Sequence, residues 1–597
     1  MIETLSIQLK RLGHYAVYRS IALPLGILFV ILVLTISPVG EFPLNDDWIY
    51  TKTVQHLLET GQYRAHPYIN ATLVAQSYWG ALFCKIFGFS FTILRVSTLV
   101  LAFANAWAVA KSGIVLGFSR NLALLCGAVV ATSPLVLQLS YSFMSDVPFL
   151  ALSNLSGLCF LKALRQPKPQ WVAWGSIAAA LAFLVRQFGI LLPVAFAIAI
   201  ALLVWRKRYA PSKSTIAALL LPWIAVAGIY VVWGDALASD TPLLETSQSL
   251  AGPLLDSARH IPLALCYVGL FALPLGVGRL IQIVQKQECW TPRQRTLWIG
   301  FCGVSLFVFW LPQLLYWIAK LAFGREALWL RRYPYRMPLT LYKSLLDLGL
   351  GPLQLPDPQF QPTVQIREWW WPITLAALCV AGLLFVSVVN RYRQQQDSEQ
   401  TQSLERQNQD LFLLVWALLS LAATYNPFRA VMVDRYLLVP LVPFILLLGR
   451  DLMQVEAKVS FKPMAISALA IALFSVGSLQ EYLAWNQTAW IAHHRLETKY
   501  RVSSQAVAGI DTFNGWFNSE AYMQRYNTRS WWDVGKRGGS PWALDDQYAI
   551  ASVEPRAGYE VLERIPYFSW LGMKQRSIAI FKRSSFNPPT LGQPRSG

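Results

Sequence analysis

The sequence predicts an α-helical polytopic membrane protein with about thirteen transmembrane helices and a small extracytoplasmic C-terminal domain of mixed α/β structure. Hydrophobic residues make up 55% of the 597 residues and charged residues only 14%, well below the roughly 25% of an ordinary soluble protein. The chain has 24 tryptophans, a residue that is enriched at membrane interfaces. Apolar runs of bilayer-spanning length recur as far as residue 480.

Thirteen apolar runs account for the transmembrane domain, residues 1–480, because about twenty apolar residues cross a bilayer. The first run follows basic residues but has no small-residue cleavage site, so we expect a retained helix rather than a signal peptide. The predicted spans lie near residues 21–37, 90–110, 121–139, 147–164, 171–185, 188–205, 215–233, 261–283, 297–320, 370–389, 411–425, 436–449 and 463–480. The seven cysteines form no C-x-x-C pair, which predicts neither disulfides nor a zinc site.

The basic residues indicate the orientation of the chain. With a cytoplasmic N-terminus and alternating sides, every short cytoplasmic loop contains Lys or Arg, as the positive-inside rule requires. The same bias explains much of the net charge of +19 without a nucleic-acid partner. We therefore expect a multi-pass protein of the plasma (inner) membrane whose C-terminal domain is extracytoplasmic.

Four long segments are then external, namely residues 38–89, 234–260, 321–369 and 481–597. The last of these, the C-terminal domain, contains the turn signal Phe513-Asn514-Gly515 and an alternating run at 577–581 that predicts a strand. The polar stretch 394–410 is predicted to be a cytoplasmic linker.

Two adjacent carboxylates, Asp46 and Asp47, open the first external loop just beyond the first membrane helix. Charge so close to lipid is costly unless it has a partner or a role. One carboxylate can take a proton from an acceptor hydroxyl or amine, and the other can hold an arginine, a helix end or a metal. The alternative is that Asn45 or Asp46 caps a helix over about 47–60.

A third candidate catalytic acid, Asp146, falls at the same face of the membrane. It is the only acidic residue between Glu59 and Asp235, which suggests a site shared with the acid pair. The alternative is a helix start with Pro148 in its first turn.

Cations on the same face complete a candidate phosphate site, because arginine clamps phosphate through bidentate hydrogen bonds. The basic cluster in the loop 321–369 runs against the topological bias, although an interfacial helix that contacts lipid headgroups would explain it as well. The candidate substrate-binding residues are Lys52, Arg186, Arg331, Arg332, Arg336, Arg435 and Tyr436.

Short motifs in this chain resemble the GT-C class of membrane glycosyltransferases, in particular family 39, which includes protein O-mannosyltransferases and the lipid A aminoarabinose transferase. The motifs are Asp46-Asp47-x-x-Tyr50, Trp79-x-x-Leu82, Phe87-Gly88-x-Ser90, Leu94-Arg95, Ser145-Asp146-Val147-Pro148 and Arg435-Tyr436-Leu437-Leu438-Val439-Pro440. The chain departs from the family in its Asp-Asp pair, where the family has Asp-Glu, and in Ile49, where a basic residue is frequent.

The resemblance implies a GT-C fold and a sugar donor on a polyprenyl phosphate. It implies that Asp46 is the general base, that the transfer inverts the anomeric carbon, and that external cations stabilise the leaving lipid phosphate. The acceptor would be an envelope lipid, glycan or protein, and the resemblance leaves the need for a divalent metal open.

The sequence is also compatible with two alternative functions. Trp531-Trp532-Asp533-Val534-Gly535 is similar to a motif of oligosaccharyltransferase catalytic subunits, although a packed aromatic turn explains it too. A transporter or flippase of lipid-linked sugars would need polar residues and broken helices at mid-bilayer, often with inverted repeats. The charges here gather at one face instead.

Overall fold

Helices make up most of the chain, and a small sheet lies near its C-terminal end. The computed structural model describes residues 20–69, 71–237, 251–285, 290–323, 370–395, 404–424, 434–453, 461–528, 534, 541–551 and 558–584. The helices before the sheet are α1 Ala22–Thr35, α2 Asp47–Thr60, α3 Val74–Phe87, α4 Phe91–Val115, α5 Arg120–Thr132, α6 Pro134–Ser140, α7 Asp146–Arg165, α8 Pro169–Phe183, α9 Leu191–Trp205, α10 Lys213–Leu237, α11 Ala251–Phe271, α12 Leu273–Val284, α13 Pro292–Phe323, α14 Trp370–Gln394, α15 Leu404–Thr424, α16 Leu438–Met453 and α17 Lys462–Thr498.

Each of the thirteen predicted spans coincides with helix, which confirms the helical membrane architecture. Among the described residues, seven helices are long and apolar enough to cross a membrane, or nine if each of two bent pairs is one span. The number thirteen and the orientation of the chain stay predictions.

Two of the predicted spans are not single straight helices. The run 121–139 divides into α5 and α6, bent by 65°, and the run 261–283 divides into α11 and α12, bent by 90°. Pro134 begins α6, and Pro274 stands in the first turn of α12. Proline lacks an N–H and clashes with the carbonyl four residues earlier, so the helix breaks before it.

Small residues let the membrane helices approach closely. A Cβ on Gly127 of α5 would lie 2.8 Å from the carbonyl oxygen of Ala106 in α4. In the same bundle, Asn154 of α7 donates a 2.7 Å hydrogen bond to Asn105 of α4, and both side chains are fully buried. Close contact at small residues and hydrogen bonds between polar side chains are the main attractions available between helices in lipid.

A buried ion network joins α14, α15 and α16 at the end of the bundle that holds the C-terminal ends of α4 and α7. Asp410 accepts from Arg391 at 2.7 Å and from Arg450 at 2.9 Å, and Arg391 also pairs with Asp451. Arg450 donates to the carbonyl oxygen of Leu116, just after α4. Residues 404–410 are therefore helical and in part buried, so the prediction of a linker over 394–410 is wrong for this part. Asp410 has the polar character of a solvated linker, but it is polar because it pairs with Arg391 and Arg450 in the ion network.

The last membrane helix, α17, continues without a break into the C-terminal domain. It has 37 residues, about 55 Å of helix, and it passes residue 480 where the predicted span ended. The C-terminal domain adds β1 Val507–Ala508, α18 Asp511–Tyr526, β2 Tyr548–Ala551, β3 Tyr559–Ser569 and β4 Lys574–Arg583. The sheet order is β1-β2-β4-β3, with β1 and β2 parallel and the other pairs antiparallel. This confirms the mixed α/β character and the strand at 577–581.

The segment Phe513-Asn514-Gly515 lies inside α18, so the turn predicted there is wrong. Asn514 is buried and exchanges hydrogen bonds with the backbone N–H and carbonyl of Gly509, so its side chain holds the loop before the helix. Gly515 allows close packing, because a Cβ there would lie 2.4 Å from Cε2 of Trp48 in α2. Trp48 also contacts Trp542 edge to face at 5.1 Å. The C-terminal domain thus packs directly on the first loop.

We predict that Gly515→Ala lowers the free energy of unfolding by about 1–3 kcal/mol, since overpacking forces Trp48 to shift. Thermal unfolding in detergent measures the change. Gly300→Ala in α13 is the control, because no atom of the described residues lies within 4 Å of its Cβ position, and it should leave the protein equally or slightly more stable. Equal melting temperatures for Gly515→Ala and wild type would contradict the close packing.

Candidate active site

The acid pair stands at the start of α2, at the end of the bundle that faces the C-terminal domain. The helix runs over Asp47–Thr60 with Asp46 at the N-cap, which confirms the helix predicted over 47–60. The Asp46 side chain makes no capping hydrogen bond. Its carboxylate therefore remains available for another partner, and the capping alternative does not account for it.

Asp47 is buried, with 1% of its surface exposed, and both of its oxygens bind backbone. Oδ1 accepts from the N–H of Leu44 at 2.6 Å, and Oδ2 accepts from the N–H of Phe143 at 3.0 Å. Burial raises the pKa of Asp47 to about 7, while nearby Arg95 and the two N–H donors work against that rise. These contacts suit a carboxylate that ties the first loop to the segment before α7.

Asp146 begins α7 and forms a buried ion pair with Arg186. Asp146 Oδ1 and Arg186 Nη1 are 2.9 Å apart, and the side chains are 2% and 10% exposed. Arg186 Nε also donates to the hydroxyl oxygen of Ser145 at 2.8 Å. Arg186 follows α8 in extended backbone, so the end of α8 and the start of α7 meet through this pair.

Arg435 completes the set and is placed by the short 3-10 helix Asp434–Leu437. Its Nη2 lies 3.4 Å from Asp46 Oδ2, and the two side chains are 12% and 22% exposed. The carboxylates of Asp146 and Asp46 both lie within electrostatic reach of the guanidinium. The Tyr436 ring lies 5.7 Å from the guanidinium of Arg186 and 5.9 Å from that of Arg435. Five candidate residues, from four separate segments of the chain, therefore meet at one place.

Tyr50 belongs to the same cluster, although sequence reasoning gave it no role. It is nearly buried, and Arg435, Asp46, Arg186 and Asp146 all act on it electrostatically. Burial raises the pKa of its hydroxyl, so it stays neutral near pH 7. The spacing in the sequence could have indicated this position. Residues four apart lie on the same face of a helix, and Tyr50 is four residues after Asp46.

Two buried polar atoms of the cluster, Asp146 Oδ2 and Arg435 Nε, make no hydrogen bond with any other residue that the structure describes. An unpaired buried polar atom is costly, so these atoms mark the positions where a bound ligand would be stabilised. The cluster offers both signs of charge within one small region. It can accept a proton and stabilise an anion at the same time.

Lys52 lies apart from the cluster. Its ammonium group pairs with Glu520 of α18 at 2.9 Å and lies 5.7 Å from the Trp516 ring. In this structure Lys52 therefore binds the first loop to the C-terminal domain. Its assignment to the phosphate site has no contact in support among the described residues.

Several sequence-predicted residues lie outside the described part of the chain. They are Arg331, Arg332 and Arg336 of the third large loop, and all of Trp531-Trp532-Asp533-Val534-Gly535 except Val534. The phosphate role of the three arginines stays a prediction.

Arg95, a residue of the family-like motif, shapes the loop rather than the cluster. It donates to the carbonyl oxygens of Pro38 at 3.2 Å and Gly40 at 3.0 Å, and also to that of Phe42. Its guanidinium lies 4.5 Å from the Phe42 ring. The chain leaving α1 is thus held against α4 before it reaches Asp46.

A metal site was left open by the sequence. Within the described ranges, no group of three or more His, Cys, Asp or Glu side chains is arranged to hold a metal ion. The carboxylates of Asp46 and Asp146 have arginine partners instead.

Comparisons with known proteins address the family resemblance. The family model described as dolichyl-phosphate-mannose-protein mannosyltransferase matches residues 72–233, which confirms the resemblance over a segment that contains Asp146 and Arg186. No curated protein matches the chain.

Two crystal structures of ArnT from Cupriavidus metallidurans are similar to the chain. The one bound to undecaprenyl phosphate is 12% identical, with a TM-score of 0.37, and the match covers 94% of this chain and 99% of that one. The apo structure is 13% identical, with a TM-score of 0.39, and the match covers 96% and 100%.

We predict different effects for the two adjacent acids on stability. Asp47→Asn should lower the free energy of unfolding by about 1–3 kcal/mol, because its amide would face one of the two N–H donors. Asp46→Asn should cost less than about 1 kcal/mol, since its ion pair is long and partly exposed. Thermal unfolding in detergent compares them, and equal losses would contradict the anchoring role of Asp47.

We also predict that the ion pair of Asp146 and Arg186 contributes to stability. Arg186→Gln should lower the free energy of unfolding by about 3–5 kcal/mol, because it leaves a buried carboxylate without its partner. The double variant Asp146→Asn/Arg186→Gln should recover part of this loss. A double-mutant cycle on thermal unfolding measures the coupling, and additive effects would contradict a direct pair.

Proposed function

We propose that this protein is a membrane glycosyltransferase that moves a sugar from a polyprenyl-phosphate-linked donor to an envelope acceptor, with Asp46 as general base. The observation that carries the proposal is the cluster of Asp46, Asp146, Arg186 and Arg435 at one end of the membrane bundle. The match of residues 72–233 to a family named for a dolichyl-phosphate-mannose donor supports the donor class.

Asp46 suits the role of base better than the other two acids. It is the most exposed of the three, at 22% of its side chain, whereas Asp47 and Asp146 are 1% and 2% exposed. Its contact with Arg435 is made by Oδ2 alone, and Oδ1 accepts no hydrogen bond from the described residues. An acceptor hydroxyl or amine can therefore approach Oδ1, which is the geometric requirement for proton transfer.

The transfer would proceed as one displacement at the anomeric carbon. The acceptor oxygen or nitrogen forms a bond to that carbon as Asp46 takes its proton. The bond from carbon to the phosphate oxygen breaks on the opposite face, so the configuration inverts. The lipid phosphate leaves with the electron pair as an anion, and no nucleotide is consumed.

The two arginines would stabilise the departing phosphate. Guanidinium groups that are already in place lower the energy of charge that develops during a reaction. Asp146 and Ser145 hold Arg186 in position, so Asp146 acts in part through that arginine. Its unpaired Oδ2 would meet the sugar or the acceptor. Tyr436 packs beside both guanidiniums.

The proposal extends to the acceptor and the location. The acceptor would be an envelope glycolipid, glycan or protein on the extracytoplasmic face of the plasma membrane. Arg331, Arg332 and Arg336 would add charge around the same phosphate.

We predict that Asp46→Asn lowers sugar transfer by about 100-fold or more, the range in which general base catalysis contributes. Mass spectrometry of envelope glycans and glycolipids in a deletion strain, with and without each variant gene, identifies the product and measures its recovery. Glu59→Gln is the matched control, because Glu59 lies on the same helix, is exposed and accepts a hydrogen bond from Gln55 on the helix surface.

The two variants together decide the proposal. Restoration of the product by Glu59→Gln but not by Asp46→Asn, at equal membrane levels, supports it. Full recovery with Asp46→Asn would remove Asp46 as base. An envelope unchanged by deletion of the gene would contradict the glycosyltransferase function itself.

A further inference from the structure

The turn between β3 and β4 exposes large apolar side chains. Trp570 is 44% exposed, Met573 is 76% exposed, and Phe568, the next outward-facing residue of β3, is 42% exposed. We call residues 570–573 the hairpin tip. A group of neighbouring apolar side chains that is exposed on a folded surface is typical of a site that contacts a protein or a membrane.

The hairpin tip is held in shape by its own chain. The strand ladder continues to the pair Ser569 and Lys574. Ser569 is fully buried, and its hydroxyl oxygen accepts the N–H of Gly572 at 3.0 Å. Trp570 and Met573 are therefore displayed by a fixed turn rather than by a frayed end.

Contacts along α17 show in which direction the hairpin points. Near the end of the helix, Glu563 of β3 pairs with Arg495 and, at 3.0 Å, with Lys499. At the hairpin tip, Leu571 Cδ2 would lie 3.1 Å from a Cβ on Gly477. Residues 477 and 495 are about 27 Å apart along the helix, so β3 runs down α17 towards its membrane-spanning part.

The hairpin tip reaches the level where α17 presents apolar surface. Ile466, Leu469 and Leu473 are 67%, 59% and 64% exposed in a helix apolar enough to cross a membrane, as expected of side chains that face lipid. Leu473 precedes Gly477 by one turn, about 6 Å along the axis. The contact of Leu571 with Gly477 thus places the hairpin tip at the edge of the lipid-facing surface.

The charges around the hairpin tip fit a membrane interface. Lys574 follows the tip and is exposed, and a lysine next to a tryptophan is typical of the headgroup region. Along the outward face of β3, the side chains change from Arg564 through Pro566 to Phe568. Apolar character therefore increases towards the bilayer.

We propose that the hairpin tip, with Phe568, inserts into the lipid headgroup region and anchors the C-terminal domain to the membrane surface. Trp570 and Met573 enter the boundary of the acyl chains, while the Lys574 ammonium contacts lipid phosphates. The domain then has two attachments to the bilayer, α17 and the hairpin tip. Together they hold α18 over the first loop, whatever reaction the site performs.

Spin labels at two positions test the insertion. Met573→Cys and Val561→Cys are each made in a full-length chain whose native cysteines are replaced by alanine, labelled with a nitroxide and reconstituted in liposomes. Val561 is the matched control, since it is 44% exposed on the same strand but about 26 Å from the end of β3. Collision rates with oxygen, which concentrates in lipid, and with a water-soluble nickel chelate report depth.

We expect the ratio of oxygen to nickel collisions to be several-fold higher at 573 than at 561. Equal ratios, with free access of nickel to residue 573, would overturn the proposal. Strong dipolar coupling between labels at 573 would also overturn it, because the hairpin tip would then contact a second copy of the chain.

A second variant separates anchoring from folding. Trp570→Ser/Met573→Ser changes only exposed side chains, so thermal unfolding in detergent should not change. In lipid nanodiscs, backbone amides of α18 should exchange hydrogen several-fold faster than in wild type, whereas Val561→Ser should have no effect. Unchanged exchange in the double variant would show that the hairpin tip anchors nothing.

Discussion

The placement of the candidate site depends on one carboxylate, that of Asp47. Its two oxygens bind the N–H groups of Leu44 and Phe143, residues almost a hundred positions apart, and so tie the entry of α2 to the segment before α7. Asp46 lies two residues after Leu44, and Asp146 lies three residues after Phe143. A buried carboxylate is tolerated only with such partners, and with both hydrogen bonds in place the two other acids lie near Arg435. The geometry of the candidate site thus depends on a carboxylate whose two oxygens both bind backbone.

Much of the architecture could be predicted from sequence because the bilayer imposes a simple constraint. A span must be apolar and long, and every predicted span is helical. The grouping of Asp46, Asp146, Arg186 and Arg435 could also be predicted from the sequence. Charges near lipid need partners, and acidic residues are few on the predicted external face. The same argument also placed Lys52 in that site, because charge and face alone do not show which cation packs against which acid.

The differences between the sequence predictions and the structure have a common physical origin in contacts that join distant segments. Phe513-Asn514-Gly515 has the composition of a turn, yet Trp48 and Gly509 make helix the better arrangement. Lys52, five residues after Asp47, pairs with Glu520 of the C-terminal domain, a partner that the local sequence does not reveal. The residues 404–410 look like solvated linker, although Arg391 and Arg450 need Asp410. Local composition carries no record of such partners, because tertiary contacts routinely override local preference.

The ion network of Arg391, Asp410 and Arg450 has a consequence for how the protein is made. Each of these side chains is 5% exposed or less, and a lone charge on an isolated helix resists entry into the bilayer. Neutralisation needs α14, α15 and α16 together, because Asp410 contacts an arginine of each neighbour. The final packing of these charged helix ends therefore forms only when all three helices have met, and a change in one helix leaves a charge of another without its partner.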